Sequence, residues 1–136
     1  MLKLNPYLNL PGRCREVMNF YARCLQAELQ LQTVGESPMA AQMPPHTHDQ
    51  ILHALLTKGD LVLMASDMFQ GEPVQGNTYQ LTIVCDQEAE IKQYFQALSE
   101  GGKIDMPLQS SFWSPLFGMV TDQYGQGWML SLETKP

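Results

Sequence analysis

Few side chains in this sequence can do chemistry, and they are scattered. His53 stands in the apolar run ILHALLT, one of three histidines in the chain. An imidazole titrates near neutral pH, so His53 is the candidate general acid or base. The plainer alternative is a hydrogen-bonded core histidine. Against that, His53 shares a strand face with Leu55 and Thr57. His46 and His48, in HTHD, have the look of a metal-binding pair, but their Pro-rich surroundings favour a solvated loop. Cys14, Cys24 and Cys85 are odd in number and form no C-x-x-C, so neither a zinc site nor a thioredoxin-like pair is indicated. Cys24 and Cys85 read as small core residues. Cys14 falls at a helix N-terminus, where a thiolate is favoured. Most of the nine methionines read as core filler, but Met39, Met43 and Met68 lie near loops and suit an adaptable apolar lid. Phe112, Trp113 and Phe117 read first as packing and second as a stacking wall. A tryptophan N–H needs a partner, and a ligand would be one.

The chain that must position these groups has 136 residues, one domain's worth, with 44% hydrophobic and 16% charged residues. Its net charge of −6, with no basic cluster, argues against a nucleic-acid partner. No apolar run approaches the ~18–20 residues of a membrane helix, and MLKLNPYLNL lacks the features of a signal peptide. A soluble cytoplasmic protein is expected.

KLNPYLNL alternates, with Leu4, Leu8 and Leu10 on one face and Asn5, Tyr7 and Asn9 on the other, which predicts a half-buried strand. In RCREVMNFYARCLQAE, Val17, Phe20, Tyr21, Cys24 and Leu25 have the spacing of an amphipathic helix. LQLQTV resumes strand periodicity. Residues 35–50, Pro-rich and without period, predict a long loop with no structure of its own. ILHALLT and LVLMASD form a hairpin about Lys58-Gly59-Asp60. The second half repeats the plan. TYQLTIVCD is a strand with Tyr79, Leu81, Ile83 and Cys85 on its apolar face, and the next helix carries Ile91, Tyr94, Phe95 and Leu98 and stops at Gly101-Gly102. KIDMPLQ is another strand, and Phe112 to Leu132 supplies a last hairpin. Val17/Ile91, Phe20/Tyr94 and Tyr21/Phe95 match at an offset of 74. The chain thus reads as strand–helix–strand–strand–strand, twice.

A duplicated βαβββ chain of this length resembles the vicinal oxygen chelate superfamily (glyoxalase I, extradiol dioxygenases and bleomycin resistance proteins), and more narrowly its PhnB-like branch. The resemblance lies in PYLNLPGRCREVMNFY, SPMAAQMPP, ILHALLTKGDLVLMASDM and GGKIDMPLQSSFWSPLFGMVTDQYGQGWML, in order over more than half of the chain. The pattern FW-x-x-x-FG-x-V-x-D-x-(Y/F)-G-x-x-W is its most specific part. It implies an α+β fold, one PhnB-like domain over residues 1–136, with tandem modules at about 1–70 and 76–136 forming a cupped mixed sheet. A small molecule would bind inside the cup, and relatives commonly form homodimers.

Superfamily enzymes hold a divalent metal with His and Glu from four strands. Module-to-module alignment places those positions near Asn5, His53, Gln80 and Met129, where one imidazole, two amides and a thioether make a poor set for such an ion. No metal or other cofactor is assigned. No Gly-rich strand-to-helix turn of the nucleotide-cradling kind is present either, which argues against the methyltransferase label some PhnB-like proteins carry. The expectation is a module that binds a small organic molecule through Asn5, Tyr7, His53, Gln80, Trp113 and Met129. His53 is its catalytic group if the protein is an enzyme. The alternative is a divalent-metal-dependent lyase, isomerase or dioxygenase.

Overall fold

In the computed structural model, which describes residues 1–133, the chain divides into two units, Met1–Val74 and Gln75 onward. The first contains β1 (Tyr7–Asn9), α1 (Cys14–Leu25), β2 (Glu28–Thr33), β3 (Ile51–Lys58) and β4 (Leu61–Ser66). Its sheet runs β1-β4-β3-β2, with β1 parallel to β4 and the other pairs antiparallel. The second unit repeats this with β5 (Leu81–Cys85), α2 (Glu88–Ser99), β6 (Lys103–Gln109), β7 (Phe117–Thr121) and β8 (Gly127–Leu132), in the order β5-β8-β7-β6. This is the α+β arrangement of tandem βαβββ modules. Among the described residues, no helix is long and apolar enough to cross a membrane.

Each helix covers one face of its own sheet. The predicted stripe of α1 is buried, as are Ala54, Leu56, Leu63 and Ala65 on the sheet face beneath it. The start of α1 has no cap from Arg13. Instead the carboxylate of Asp67, just past β4, accepts from Cys14 N (3.0 Å) and from Ile51 N (2.7 Å). One acidic side chain therefore satisfies the helix end and the start of β3 together. In the second unit Ile91, Tyr94, Phe95 and Leu98 of α2 are buried, with Val120, Trp128 and Leu130 buried on the sheet. Gly118 permits this close approach, since a Cβ there would lie 2.6 Å from the Phe95 ring.

Strand β3 contains a bulge. His53 pairs with Gln32, but Ile51 rather than Leu52 pairs with Thr33. Leu52 is the extra residue, so Ile51 and Ala54 are both buried while His53 is only partly so.

Three expectations need correction. The first strand is shorter than KLNPYLNL. Pro6 has no N–H to donate, although its carbonyl accepts from Met64 N (3.2 Å), and Leu4 is exposed. Likewise β5 begins at Leu81, paired with Trp128 near the start of β8, and Tyr79 lies outside it and exposed. Finally, residues 35–50 are not structureless. Short 3-10 turns occupy Ala40–Gln42 and Pro45–Thr47. Gly35 N donates to His48 O (3.0 Å), and the His48 ring nitrogen Nε2 lies 2.9 Å from Ala40 O and 3.2 Å from Met43 O. His48 is thus a clasp inside the loop rather than a solvated side chain, while His46 is exposed.

Candidate functional site

The face of the first sheet turned away from α1 carries the polar groups that sequence alternation singled out. Tyr7 on β1 pairs with Met64 on β4, which pairs with Leu55 on β3. His53 lies two residues before Leu55 and so points to the same side. The Tyr7 and His53 rings meet across the intervening strand, centroids 5.9 Å apart and planes inclined at 33°. Gln32 lies opposite His53. Partly buried Leu55, Met64 and Val62 form the apolar ground around them. Asn5 precedes β1 and is exposed. The structure thus brings Tyr7 and His53 together and leaves Asn5 just outside the paired strand.

In the second unit, Met129 pairs with Thr82 and with Met119, on the face turned away from α2. Gln80 immediately precedes β5, its side chain 3.2 Å from where a Cβ on Gly127 would lie. His53 stands on β3, the third strand of its module, and Met129 on β8, the fourth strand of the other. The four aligned positions are therefore not a symmetric set. Trp113 lies half exposed on the loop before β7, with its ring 5.0 Å from Phe117 and 4.7 Å from Phe112, both edge-on. Two serines hold this loop. Ser111 N donates to Ser114 O (2.9 Å), Ser114 N donates to Ser111 Oγ (3.2 Å), and Ser114 Oγ receives Leu116 N and Leu132 N (3.2 Å each).

Two further side chains are settled by burial and hydrogen bonding. Trp128, the other tryptophan, has its own acceptor: its indole N–H donates to buried Asp122 Oδ2 (2.8 Å). Asp122 Oδ1 also accepts from Tyr124 N (2.8 Å) and Gln126 N (3.1 Å), closing the β7–β8 turn, where Gly125 adopts φ +88°. The D, G and W of the distinctive C-terminal pattern are therefore a structural lock. Cys14 does begin α1, but it is fully buried. Burial foremost, then the nearby charge of Asp67, pushes its thiol up to about 12 against a weaker pull from Arg15. It is held protonated, against the thiolate that a helix N-terminus favours.

An open depression of about 500 Å³ lies elsewhere, at the start of α1, lined by Arg13, Arg15, His46, Asp49 and Asp67 among others. Two of its charged groups are already engaged by backbone atoms. Asp67 caps the helix, and the Arg15 guanidinium reaches Asp49 O at 3.3 Å. The divalent ion implied by the resemblance does not fit this chain. Its four positions offer one imidazole against two amides and a thioether. Among the described residues, no three His, Cys, Asp or Glu side chains group as donors.

Comparison with known proteins agrees with this architecture. The family description Glyoxalase/Bleomycin resistance protein/Dioxygenase superfamily matches residues 3–130, and the chain belongs to that superfamily. Its relatives place it in the PhnB-like branch. It is 31% identical to Protein YjdN of Escherichia coli (strain K12), over 96% of this chain and 95% of that protein. Among solved structures it is similar to protein PA1353 from Pseudomonas aeruginosa, with 37% identity, TM-score 0.83 and coverage of 99% of this chain and 100% of that one. It is also similar to a Bacillus cereus PhnB protein described as a putative 3-demethylubiquinone-9 3-methyltransferase. There the identity is 29% and the TM-score 0.75, over 97% of this chain and 100% of that one.

Proposed function

We propose that this protein binds a small organic molecule on the helix-free face of its first sheet, with Tyr7 and His53 giving polar contacts above an apolar ground. The observation that supports this is the Tyr7–His53 pair itself, a phenol and an imidazole brought together from two non-adjacent strands. Leu55 and Met64 supply the apolar area that would hold such a ligand. The methyltransferase activity in the Bacillus cereus protein's description is not carried over, because the β1–α1 turn, Leu10-Pro11-Gly12-Arg13, has a single glycine.

The test is His53→Ala, with melting and binding measured side by side on a ligand found by thermal-shift screening. Loss of one ligand hydrogen bond is worth about 0.5–1.5 kcal/mol, or up to ~3 with a charged partner. Affinity should therefore fall about two-fold to over a hundred-fold with melting little changed. A large loss of stability with unchanged affinity would refute the assignment. We also propose a homodimer, burying about 1,200 Å² or more in total. Light scattering should give twice the chain mass of 15.3 kDa, and a monomer throughout the micromolar range would contradict it.

A further inference from the structure

Three thioethers share one level of the second sheet. Met106 pairs with Met119 between two register shifts of β6, and Met119 pairs with Met129 in regular register, so β6, β7 and β8 each contribute one methionine to the face turned away from α2. Core filler would be buried, as Met18 is in α1. These three are all partly exposed, while Trp128, Leu130 and Val120 fill the helix-facing side. Directly opposed side chains stand about 5 Å apart at Cβ, and methionine is unbranched with three rotatable bonds. The outer two sulfurs can therefore swing inward over Met119 until all three share one point.

The surroundings define what that point would hold. Phe117, two residues before Met119 on the same face, stands beside the level, with the Trp113 ring against it. On the other side Asp105 is already engaged, with Thr121 Oγ1 at 2.6 Å and Lys103 Nζ at 3.7 Å. Neutral, polarizable sulfur is a poor donor for hard divalent ions and a good one for soft monovalent ions.

We propose that Met106, Met119 and Met129 form a three-thioether site for a soft monovalent metal ion of the Cu(I) class. Because thioethers carry no titrating proton, occupancy would not depend on pH in the way a Cys or His site does.

The test uses Ag(I), a redox-inert probe of that class, with the full-length protein carrying 13C-labelled methionine methyl groups. The methyl signals of Met106, Met119 and Met129 should shift together and saturate at one equivalent, at pH 5.5 as at 7.5, with Met18 unmoved. Met119→Leu keeps the side-chain volume and should weaken Ag(I) binding by about ten-fold or more. The proposal is overturned if the three methyls do not move together in the wild-type protein, which needs no variant to fold. It is equally overturned if Met119→Leu binds as well, or if Ag(I) is taken up with loss of free thiol instead.

Discussion

Replacing Asp122 with alanine tests the reading of the C-terminal pattern as a lock. The carboxylate is 3% exposed and accepts at least three hydrogen bonds, from Tyr124 N, Gln126 N and Trp128 Nε1. After truncation the two turn amides, nearer the surface, can turn to water. The indole N–H, on a side chain only 2% exposed, cannot. Leaving one buried donor unpaired costs about 1–3 kcal/mol, and the lost charge-assisted bonds of the turn bring the total to roughly 3–5 kcal/mol. At about 2.1 cal/mol/K per residue, this chain's unfolding entropy turns that into a fall in Tm of roughly 10–17 °C. Urea denaturation of Asp122→Ala, Trp128→Phe and the double variant isolates the indole–carboxylate term, expected near 1–3 kcal/mol of coupling. Additive single effects, or a loss under about 1 kcal/mol for Asp122→Ala, would refute the lock.

Two more outcomes follow from packing and from charge. Gly118→Ala places a methyl 2.6 Å from Phe95, 3.0 Å from Leu108 and 3.1 Å from Met106 O. It should destabilise by about 1–3 kcal/mol in the same urea assay. The Cys14 thiol, raised to about 12, holds its proton in the folded chain after the unfolded chain has released it. Stability should therefore fall as pH rises from about 9 towards 12, by at most about 1.4 kcal/mol per pH unit. Cys14→Ala should remove that part of the slope, and an unchanged slope would contradict the buried-thiol assignment.

Much of the fold was legible from periodicity. The helix stripes, the 51–66 hairpin and the duplication at an offset of 74 all depend on repeated local spacing. The misreadings occur where a distant partner decides. Tyr79 and Leu4 continue a strand alternation, yet pairing starts only at Leu81 and Tyr7, because strand extent is set by the neighbouring strand. Cys14 begins a helix as its spacing predicts, but its ionisation is governed by burial and by Asp67, 53 residues away. HTHD alone predicts a solvated His48, because nothing in it announces that the ring closes on Ala40 and Met43. On the candidate site, alternation placed Tyr7 and His53 on like faces of separate strands, but only the β1-β4-β3 order shows that the rings touch. The methionine level was invisible for the same reason: Met106, Met119 and Met129 share no sequence spacing until the register aligns them.

The serine clip around Phe112 and Trp113 has a consequence for recognition kinetics. A loop of this kind ordinarily samples many arrangements, and a partner that needs one of them must wait for it or impose it. Here the backbone of 111–114 is tied at both ends by Ser111 and Ser114, and Trp113 is braced between two rings. Part of the ordering penalty for such a side chain, about 0.5–1.5 kcal/mol in full, is thereby met by folding, although Phe112 itself is exposed. A partner meeting this edge of the second unit would find the backbone beneath the indole already placed, so encounter geometry would weigh more than loop rearrangement in how quickly it is engaged.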